Sequence, residues 1–177
     1  MRKMATFALL ATAVVALGCG AGATDNASSS SSDEGGAKGE EKAAKTAKIG
    51  QPARDGKFEF TVKSSKCGVS KVGTDLLGAK AQGQFCLVTI NVKNIGKESQ
   101  MFDGSSQKAY SADGTEYSAD GEAALYANKN ADTFLNDINP GNQVTGVVVF
   151  DIPKNVKLAK LELHDSPFSG GVTVALS

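Results

Sequence analysis

The 177-residue sequence has no tryptophan and one histidine, His164, and only 6% of its residues are aromatic. It contains no Gly-x-Ser-x-Gly motif, with which many hydrolases expose a nucleophilic serine. Zinc sites need several histidine or cysteine ligands, so a lone histidine argues against one. Basic and acidic residues number 19 each, and this balance does not favour nucleic acid. We therefore expect no cofactor, no metal and no nucleic-acid partner.

The N-terminus has the three parts of a secretory signal peptide. Arg2 and Lys3 provide a positive start, residues 7–17 form an apolar run, and Gly18 is a small residue at the cleavage point. The apolar run is too short to span a bilayer. The pattern predicts a signal peptide over residues 1–18.

The residue after this cleavage point is Cys19. The stretch Val14–Gly20 resembles the lipobox of bacterial lipoproteins, in which the cysteine takes a diacylglycerol and becomes the new N-terminus. The lipobox usually has leucine three residues before the cysteine, whereas here Ala16 holds that place and Leu17 is one residue nearer. The resemblance implies a lipid at Cys19, the bilayer as a partner, and a location on the extracytoplasmic face of the cell membrane. An ordinary secreted protein is the alternative.

Residues 19–50 are composed mainly of Ala, Gly, Ser, Glu and Lys. Such a segment cannot bury enough apolar surface to fold. We interpret it as a flexible tether, and about 30 residues of this type span on the order of 30 Å.

Three cysteines are an odd number for an exported protein. If Cys19 carries lipid, Cys67 and Cys86 remain, and they are free to pair in an oxidising exterior. A bond closing a loop of this length adds about 3 kcal/mol of stability in the chain-entropy model. Two reduced, buried thiols are the alternative.

The rest of the chain, residues 57–177, shows the alternation of β-strands. Phe58, Phe60 and Val62 alternate with polar residues, as in a half-buried strand. Similar apolar patterns follow in Gln84–Ile95, Val144–Ile152, Lys157–His164 and Val172–Leu176. Seven or more short strands without a helical period predict an all-β fold, an antiparallel β-sandwich.

The connections are rich in turn residues. Four glycines between Ser64 and Gly83 predict an irregular connection or bulged short strands. Asp-Gly pairs at 103–104, 113–114 and 120–121 predict tight hairpin turns, with Ala123–Tyr126 as a short segment after the last.

Four blocks of the sequence together resemble a known family. They are, in order, Gly83–Gly96, Ser111–Tyr117, Ile138–Asn142 and Val149–Pro153. They resemble the uncharacterised extracellular domain of many actinobacterial and Firmicute lipoproteins, which is similar to a small secreted mycobacterial antigen. The resemblance covers roughly Phe58 to Leu176. It implies an immunoglobulin-like fold and, in many members, a disulfide that Cys67 and Cys86 would supply here, but it implies no activity.

Two charged clusters are candidate ligand sites. Lys66, Lys71 and Lys80 lie in the glycine-rich connection with Asp75 as their only acidic neighbour, so they could bind anionic wall polymer or lipid head groups. A solvated loop is the simpler interpretation.

The second cluster is acidic and contains Asp113, Glu116 and Asp120. Oxygen-rich turns can hold calcium, but the alternating carboxylates of a calcium loop are missing. Plain hairpin turns are the simpler interpretation.

His164-Asp165-Ser166 has the three residue types of a hydrolytic triad. Neighbours on a strand point to opposite faces, so consecutive residues cannot converge on one substrate. We expect a strand-end turn at this point. Copper carriage needs several methionine or histidine ligands, and after the signal peptide the chain has only Met101 and His164.

These observations favour a membrane-anchored, extracytoplasmic module that binds a partner without catalysis. An envelope protein, a wall polymer or a small ligand would suit such a module. One alternative is an extracytoplasmic hydrolase that uses carboxylates from separate loops, which would show as a cleft with raised carboxyl pKa values. The other alternative is a structural protein of the envelope.

Overall fold

The computed structural model describes residues 46–130 and 132–177. These residues belong to one compact unit. The predicted signal peptide, Cys19 and most of the predicted tether lie outside the described residues. Within the described ranges, no helix is long and apolar enough to cross a membrane.

Eleven strands and one α-helix are formed by the described residues. The first strands are β1 (Ala47–Lys48), β2 (Pro52–Asp55), β3 (Phe58–Gly73), β4 (Gly78–Asn94) and β5 (Gln100–Met101). A single 3₁₀ turn (Gly104–Ser106), β6 (Lys108–Ser111), β7 (Glu116–Ser118) and α1 (Gly121–Ala127) follow. The chain continues with β8 (Asp137–Ile138), β9 (Gln143–Ile152), β10 (Leu158–Leu163) and β11 (Val172–Ala175).

The strands form two main sheets and a short ribbon. The first sheet has the order β1-β11-β10-β6-β7, the second has the order β2-β3-β4-β9, and β5 pairs with β8. All pairs are antiparallel except β1 with β11, which is parallel. The predicted antiparallel, immunoglobulin-like β-sandwich is confirmed.

Alternation along each strand divides its side chains between two cores. In β4, Cys86, Val88, Ile90 and Val92 are buried in the main core between the two sheets. The intervening side chains of β4 face the other side of the second sheet. There Phe85 joins a smaller cluster, the second core, with three further buried residues, Val72, Ala123 and Val149. Since Ala123 belongs to α1, the second core fixes the helix on the outer face of this sheet.

The fold begins earlier than the predicted boundary at residue 57. Ala47 is buried and pairs with Val174, and Ala53 pairs with Phe60. The sheets therefore include the last part of the predicted tether. A two-residue strand such as β1 is too short to show an alternating pattern, so it could not be predicted from the sequence.

The glycine-rich stretch from Ser64 to Gly83 is not an irregular connection. It is the outer part of a long β3–β4 hairpin, and three register shifts along it agree with the bulges predicted there. Gly73 has a φ of +82° and pairs with Gly78 at the base of the tip. A Cβ on Gly78 would lie 2.3 Å from the Val72 carbonyl oxygen. The glycines thus allow the two strands to approach closely where they turn.

Of the three Asp-Gly pairs for which hairpin turns were predicted, only one forms such a turn. Asp113-Gly114 connects β6 and β7, and Gly114 has a φ of +87°. Asp103 instead precedes the 3₁₀ turn, and Asp120 is the N-cap of α1. The prediction of hairpin turns at Asp103-Gly104 and Asp120-Gly121 is therefore wrong, and Ala123–Tyr126 lies in α1. A seven-residue helix is too short to give a helical period, and tertiary packing stabilises it.

Candidate functional site

Cys67 and Cys86 form a disulfide bond between β3 and β4. The two cysteines are 19 residues apart in the sequence, and Cys86 is fully buried in the main core. The bond lies beside the register shift between Lys66 and Val69. It joins the two strands, and beyond it the hairpin continues to its tip between Gly73 and Gly78.

The three candidate lysines do not form one patch. Lys71 and Lys80 are direct cross-strand partners near the hairpin tip, so their side chains share a face. Lys66 pairs with Leu87, whose side chain packs against the second core on the other face. Lys71 also forms an ion pair with Asp75. The structure therefore keeps Lys71 and Lys80 together and separates Lys66 from them.

Asp113 and Glu116 have local structural roles in the β6–β7 hairpin. Asp113 Oδ1 accepts hydrogen bonds from the Ser111 hydroxyl at 2.5 Å and from the Thr115 N–H at 3.1 Å. These bonds hold the pKa of the Asp113 carboxyl below its usual value. Glu116 Oε1 lies 3.0 Å from Lys108 Nζ, and this contact in turn lowers the pKa of the Glu116 carboxyl.

Asp120 lies in a second copy of the tetrapeptide that contains Asp113, since Ser111–Gly114 and Ser118–Gly121 both read Ser-Ala-Asp-Gly. Asp120 Oδ1 accepts from the Ala123 N–H at 2.8 Å, as an N-cap residue does. Its own N–H donates to the Val149 carbonyl at 2.7 Å. The two copies therefore have different structures. Across the described ranges, no three His, Cys, Asp or Glu residues are grouped as metal ligands.

His164 is 8% exposed and contacts neither Asp165 nor Ser166 through its ring. Its Nε2 lies 3.0 Å from Glu162 Oε1, and its Nδ1 lies 3.4 Å from Ser169 Oγ. The Ser169 hydroxyl donates to the Ser166 carbonyl at 3.0 Å, so its proton is directed away from the imidazole. This arrangement closes the β10–β11 loop and does not activate a nucleophile.

An apolar cleft lies along the edge of β9, beside α1. The helix forms one wall, and the opposite wall combines the start of the 3₁₀ turn with the segment before β8. The cleft encloses about 350 Å³, within the range of small-molecule sites. Three exposed apolar side chains surround its opening, namely Met101, Leu125 and Leu135.

Phe134 forms part of the floor of the cleft. Its ring packs edge-on against Phe102, with the centroids 4.9 Å apart, and Phe102 in turn contacts Phe58 and Phe60 in the main core. Phe134 has room because residue 146 is glycine. A Cβ at Gly146 would lie 2.4 Å from Phe134 Cζ. The segment before β8 is thus anchored on the sandwich by one aromatic ring.

The edge of β9 is closed at the cleft by side-chain and backbone groups from the helical region. Asn128 Nδ2 donates to the Val147 carbonyl at 2.9 Å, and Asn128 Oδ1 accepts from the Val147 N–H at 2.8 Å. The Asp120 N–H donates a hydrogen bond to the Val149 carbonyl, as described above. These contacts satisfy edge groups of β9 that would otherwise be open to another strand.

Two aspartates, Asp103 and Asp120, are the charged residues that line the cleft. Burial acts to raise the pKa of the Asp103 carboxyl, but hydrogen bonds from Ser105 and Ser106 outweigh it, and the net pKa is lowered. Asp103 therefore stays ionised at neutral pH. A general acid needs the opposite shift, so Asp103 does not have the property that the hydrolase alternative requires.

Sequence reasoning missed this cleft. Its lining residues come from four segments between Met101 and Val148, each with only a few apolar residues. The sequence shows these apolar residues one by one, in turns and in the short helix. No local pattern showed that these segments meet at the edge of β9.

Comparison with known proteins places the fold in a family. Residues 47–174 match the family described as a domain of unknown function (DUF4352). The chain belongs to this family. The uncharacterised protein YxkC of Bacillus subtilis is 33% identical over 117 residues, which are 62% of this chain. The match spans 64% of YxkC, less than two thirds of its length.

Two solved structures share the fold. The secreted protein MPT63 of Mycobacterium tuberculosis has a TM-score of 0.54 and 17% identity over 73% of this chain and 95% of its own. The yjhA protein of Bacillus subtilis has a TM-score of 0.53 and 15% identity over 75% of this chain and 100% of its own. The expected resemblance to an uncharacterised family, with a small secreted mycobacterial protein as a structural neighbour, is confirmed. None of these three proteins is named for an enzymatic activity.

Proposed function

We propose that this protein is a lipid-anchored, extracytoplasmic binding module that takes a small amphiphilic ligand into the β9–α1 cleft. The observation that carries the proposal is the cleft itself, with an apolar lining, a volume suited to a small molecule, and two aspartates as its charged groups. The ligand chemistry that fits is an apolar body with a cationic or hydrogen-bond-donating head.

The contacts of the two aspartates support this choice of ligand. Asp120 caps α1 through Oδ1, which accepts from the Ala123 N–H, and Asp103 caps the 3₁₀ turn by accepting from Ser105 through Oδ1 and from the Ser106 hydroxyl through Oδ2. Capping fixes the position of each carboxylate but does not cancel its charge. A cationic head at the rim would meet negative charge that is held in place.

The anchor rests on the sequence around Cys19. A signal peptide followed by cysteine supports lipidation and export, and the disulfide supports an oxidising compartment. Metabolic labelling with a fatty-acid analogue tests this part. We expect label on the wild-type chain and none on Cys19→Ala, whereas equal labelling of the two would contradict a lipid at Cys19.

Titration calorimetry with decylamine and decanoate tests the ligand class. The two molecules have apolar chains of similar length and opposite head charges. The chain from Gly20 to Ser177 keeps everything after the predicted lipid site and contains the whole compact unit. We expect decylamine to bind more tightly than decanoate, and equal affinities would contradict the proposed ligand chemistry.

Two variants connect this binding to the cleft. Asparagine is as good an N-cap as aspartate, so Asp120→Asn removes the charge and keeps the helix. We expect it to weaken decylamine binding about fivefold, as for a partly exposed charge pair of about 1 kcal/mol. Leu135→Ser should weaken both ligands. Phe168→Ser changes an exposed apolar residue outside the cleft and is the matched control.

A further inference from the structure

We infer that the tip of the β3–β4 hairpin is a membrane-contacting element that inserts Leu76 and Leu77 into the head-group region of an anionic bilayer. This surface is separate from the β9–α1 cleft. Leu76 is 94% exposed and Leu77 is 69% exposed, and they are adjacent at the apex of the hairpin. Soluble domains expose single apolar residues commonly, but two neighbouring exposed leucines at a hairpin apex form a continuous apolar surface.

The backbone of the tip is suited to a poorly hydrated environment. The Thr74 N–H donates to the Leu77 carbonyl at 2.7 Å, and the Leu77 N–H donates to Thr74 Oγ1 at 3.0 Å. These bonds satisfy backbone groups of the turn internally, which reduces the cost of removing the tip from water. The remaining polar groups of the turn can bind head groups at the interface.

The shape of the tip is fixed by its surroundings. Gly73 and Gly78 lie directly below the tip, and neither has space for a side chain. The two strands can therefore lie close together there. A Cβ on Gly73 would also lie 3.1 Å from the Tyr126 Cβ of α1. The Cys67–Cys86 bond joins the strands further down. The leucines are therefore presented by an ordered hairpin, so little further ordering is needed on binding.

Charge at the tip favours an anionic surface. Lys71 and Lys80 form a cross-strand pair two residue pairs below the Gly73–Gly78 pair. At about 3.3 Å per residue they lie roughly 10 Å behind the apex, within reach of lipid phosphates once the leucines enter the interface. Asp75 is the acidic residue at the tip and is already paired with Lys71. Each lysine near an anionic membrane raises partitioning about fivefold.

The geometry of the proposed anchor allows this contact. After β1, the Gly50 N–H donates to the Val62 carbonyl, so the chain passes β3 near its first residues, at the end far from the tip. From Val62 to Gly73 the strand extends for roughly 35 Å. If the segment from Cys19 to Ala47 is the flexible tether that the sequence predicts, its mean span is on the order of 30 Å and its maximum is much larger. This step rests on the proposed lipid at Cys19, whereas the tip and its lysines do not depend on it.

Vesicle flotation of the Gly20–Ser177 chain tests the inference without the lipid. We expect binding to vesicles of phosphatidylcholine with 30% phosphatidylglycerol, weaker binding to pure phosphatidylcholine, and release by salt. Leu76→Ser with Leu77→Ser should reduce binding about tenfold or more. Lys80→Gln should reduce it about fivefold on the anionic vesicles. Phe168→Ser, at a residue 97% exposed in another loop, should change nothing.

A fluorescence reporter provides a second readout. The chain has no tryptophan, so Leu76→Trp places a single indole at the apex and Phe168→Trp places one in the control loop. We expect vesicles to shift the emission of the first variant to shorter wavelength and leave the second unchanged. Failure of the wild-type chain to bind anionic vesicles, or equal binding by the double serine variant, would overturn the inference. Neither result bears on labelling at Cys19 or on ligand binding in the cleft.

Discussion

Asn128 pairs with Val147 through both groups of its side-chain amide, donating to the carbonyl and accepting from the N–H. A neighbouring strand would make the same two bonds. One side chain thus takes the place of a strand at the edge of β9, beside the cleft.

Asn128→Ala should therefore destabilise the domain. It leaves a part-buried N–H and C=O without partners, and we expect a loss of about 1–3 kcal/mol in the free energy of unfolding. Asn128→Asp should lose at least as much, because a carboxylate cannot donate to the Val147 carbonyl. Chemical denaturation measures both losses, and Asn130→Ala, at an exposed position, is the control. Wild-type stability in Asn128→Ala would show that water replaces the amide at no cost.

Gly146→Ala should displace Phe134 from the floor of the cleft. The φ of Gly146 is not in the left-handed region, so the strand can accept alanine, but the added Cβ would meet the ring at 2.4 Å. We expect a loss of about 1–3 kcal/mol and weaker binding of ligand in the cleft. Gly170→Ala has nothing within 4 Å of the new Cβ and is the control. If the ring is the cause, the losses for Gly146→Ala and Phe134→Ala will not add.

The two copies of Ser-Ala-Asp-Gly should respond differently to alanine. Asp120→Ala removes the N-cap of α1 and should cost about 1 kcal/mol. Asp113→Ala changes an exposed turn and should cost less, although its tetrapeptide is identical. Thermal unfolding of the two variants measures the difference. Asp120→Ser, which restores a capping oxygen, should recover most of the loss, and failure to do so would argue against the capping role.

Tyr110 should ionise later than an ordinary tyrosine. Partial burial raises the pKa of Tyr110 to about 12 from 10.0, and its hydrogen bond to Glu116 acts in the same direction. Between these values the unfolded chain releases the proton and the folded chain keeps it. The contribution of Tyr110 to stability is therefore complete below pH 10 and is lost as the pH rises to about 12.

Ultraviolet absorbance titration can detect this phenol among the three tyrosines of the chain. We expect Tyr110→Phe to remove the late transition, and Glu116→Gln to move it to lower pH. A late transition that persists in Tyr110→Phe would assign it to Tyr117 or Tyr126.

The long strands could be predicted from the sequence because each continues an alternating pattern over many residues. Phe58, Phe60 and Val62 gave the start of β3 in this way, and β9 was clear from its β-branched residues. The helix could not be predicted, since Asp120-Gly121 is equally a turn signal and an N-cap. Its place depends on Val72, Phe85 and Val149, which are distant in the sequence.

The candidate sites were harder to predict than the fold. Once Cys19 was set aside, the cysteine count left Cys67 and Cys86 either bonded or as two reduced thiols, and the structure forms the bond. Grouping lysines by sequence position failed for Lys66, because Lys66 and Lys71 are an odd number of residues apart on β3 and strand alternation places them on opposite faces. The cleft depends on contacts between separate segments, which composition and periodicity do not encode.

The pairing of β1 with β11 determines how mechanical load would enter the domain. A pull on the chain before Ala47 acts first on a ladder of only two residue pairs, Ala47 with Val174 and Lys48 with Ala175. The next connection, β2 to β3, has four pairs, and β3 to β4 is far longer. Tension from the N-terminal side would detach β1 before it reached the four-stranded sheet. Under tension β1 would thus separate first, and the cleft and the hairpin would stay folded.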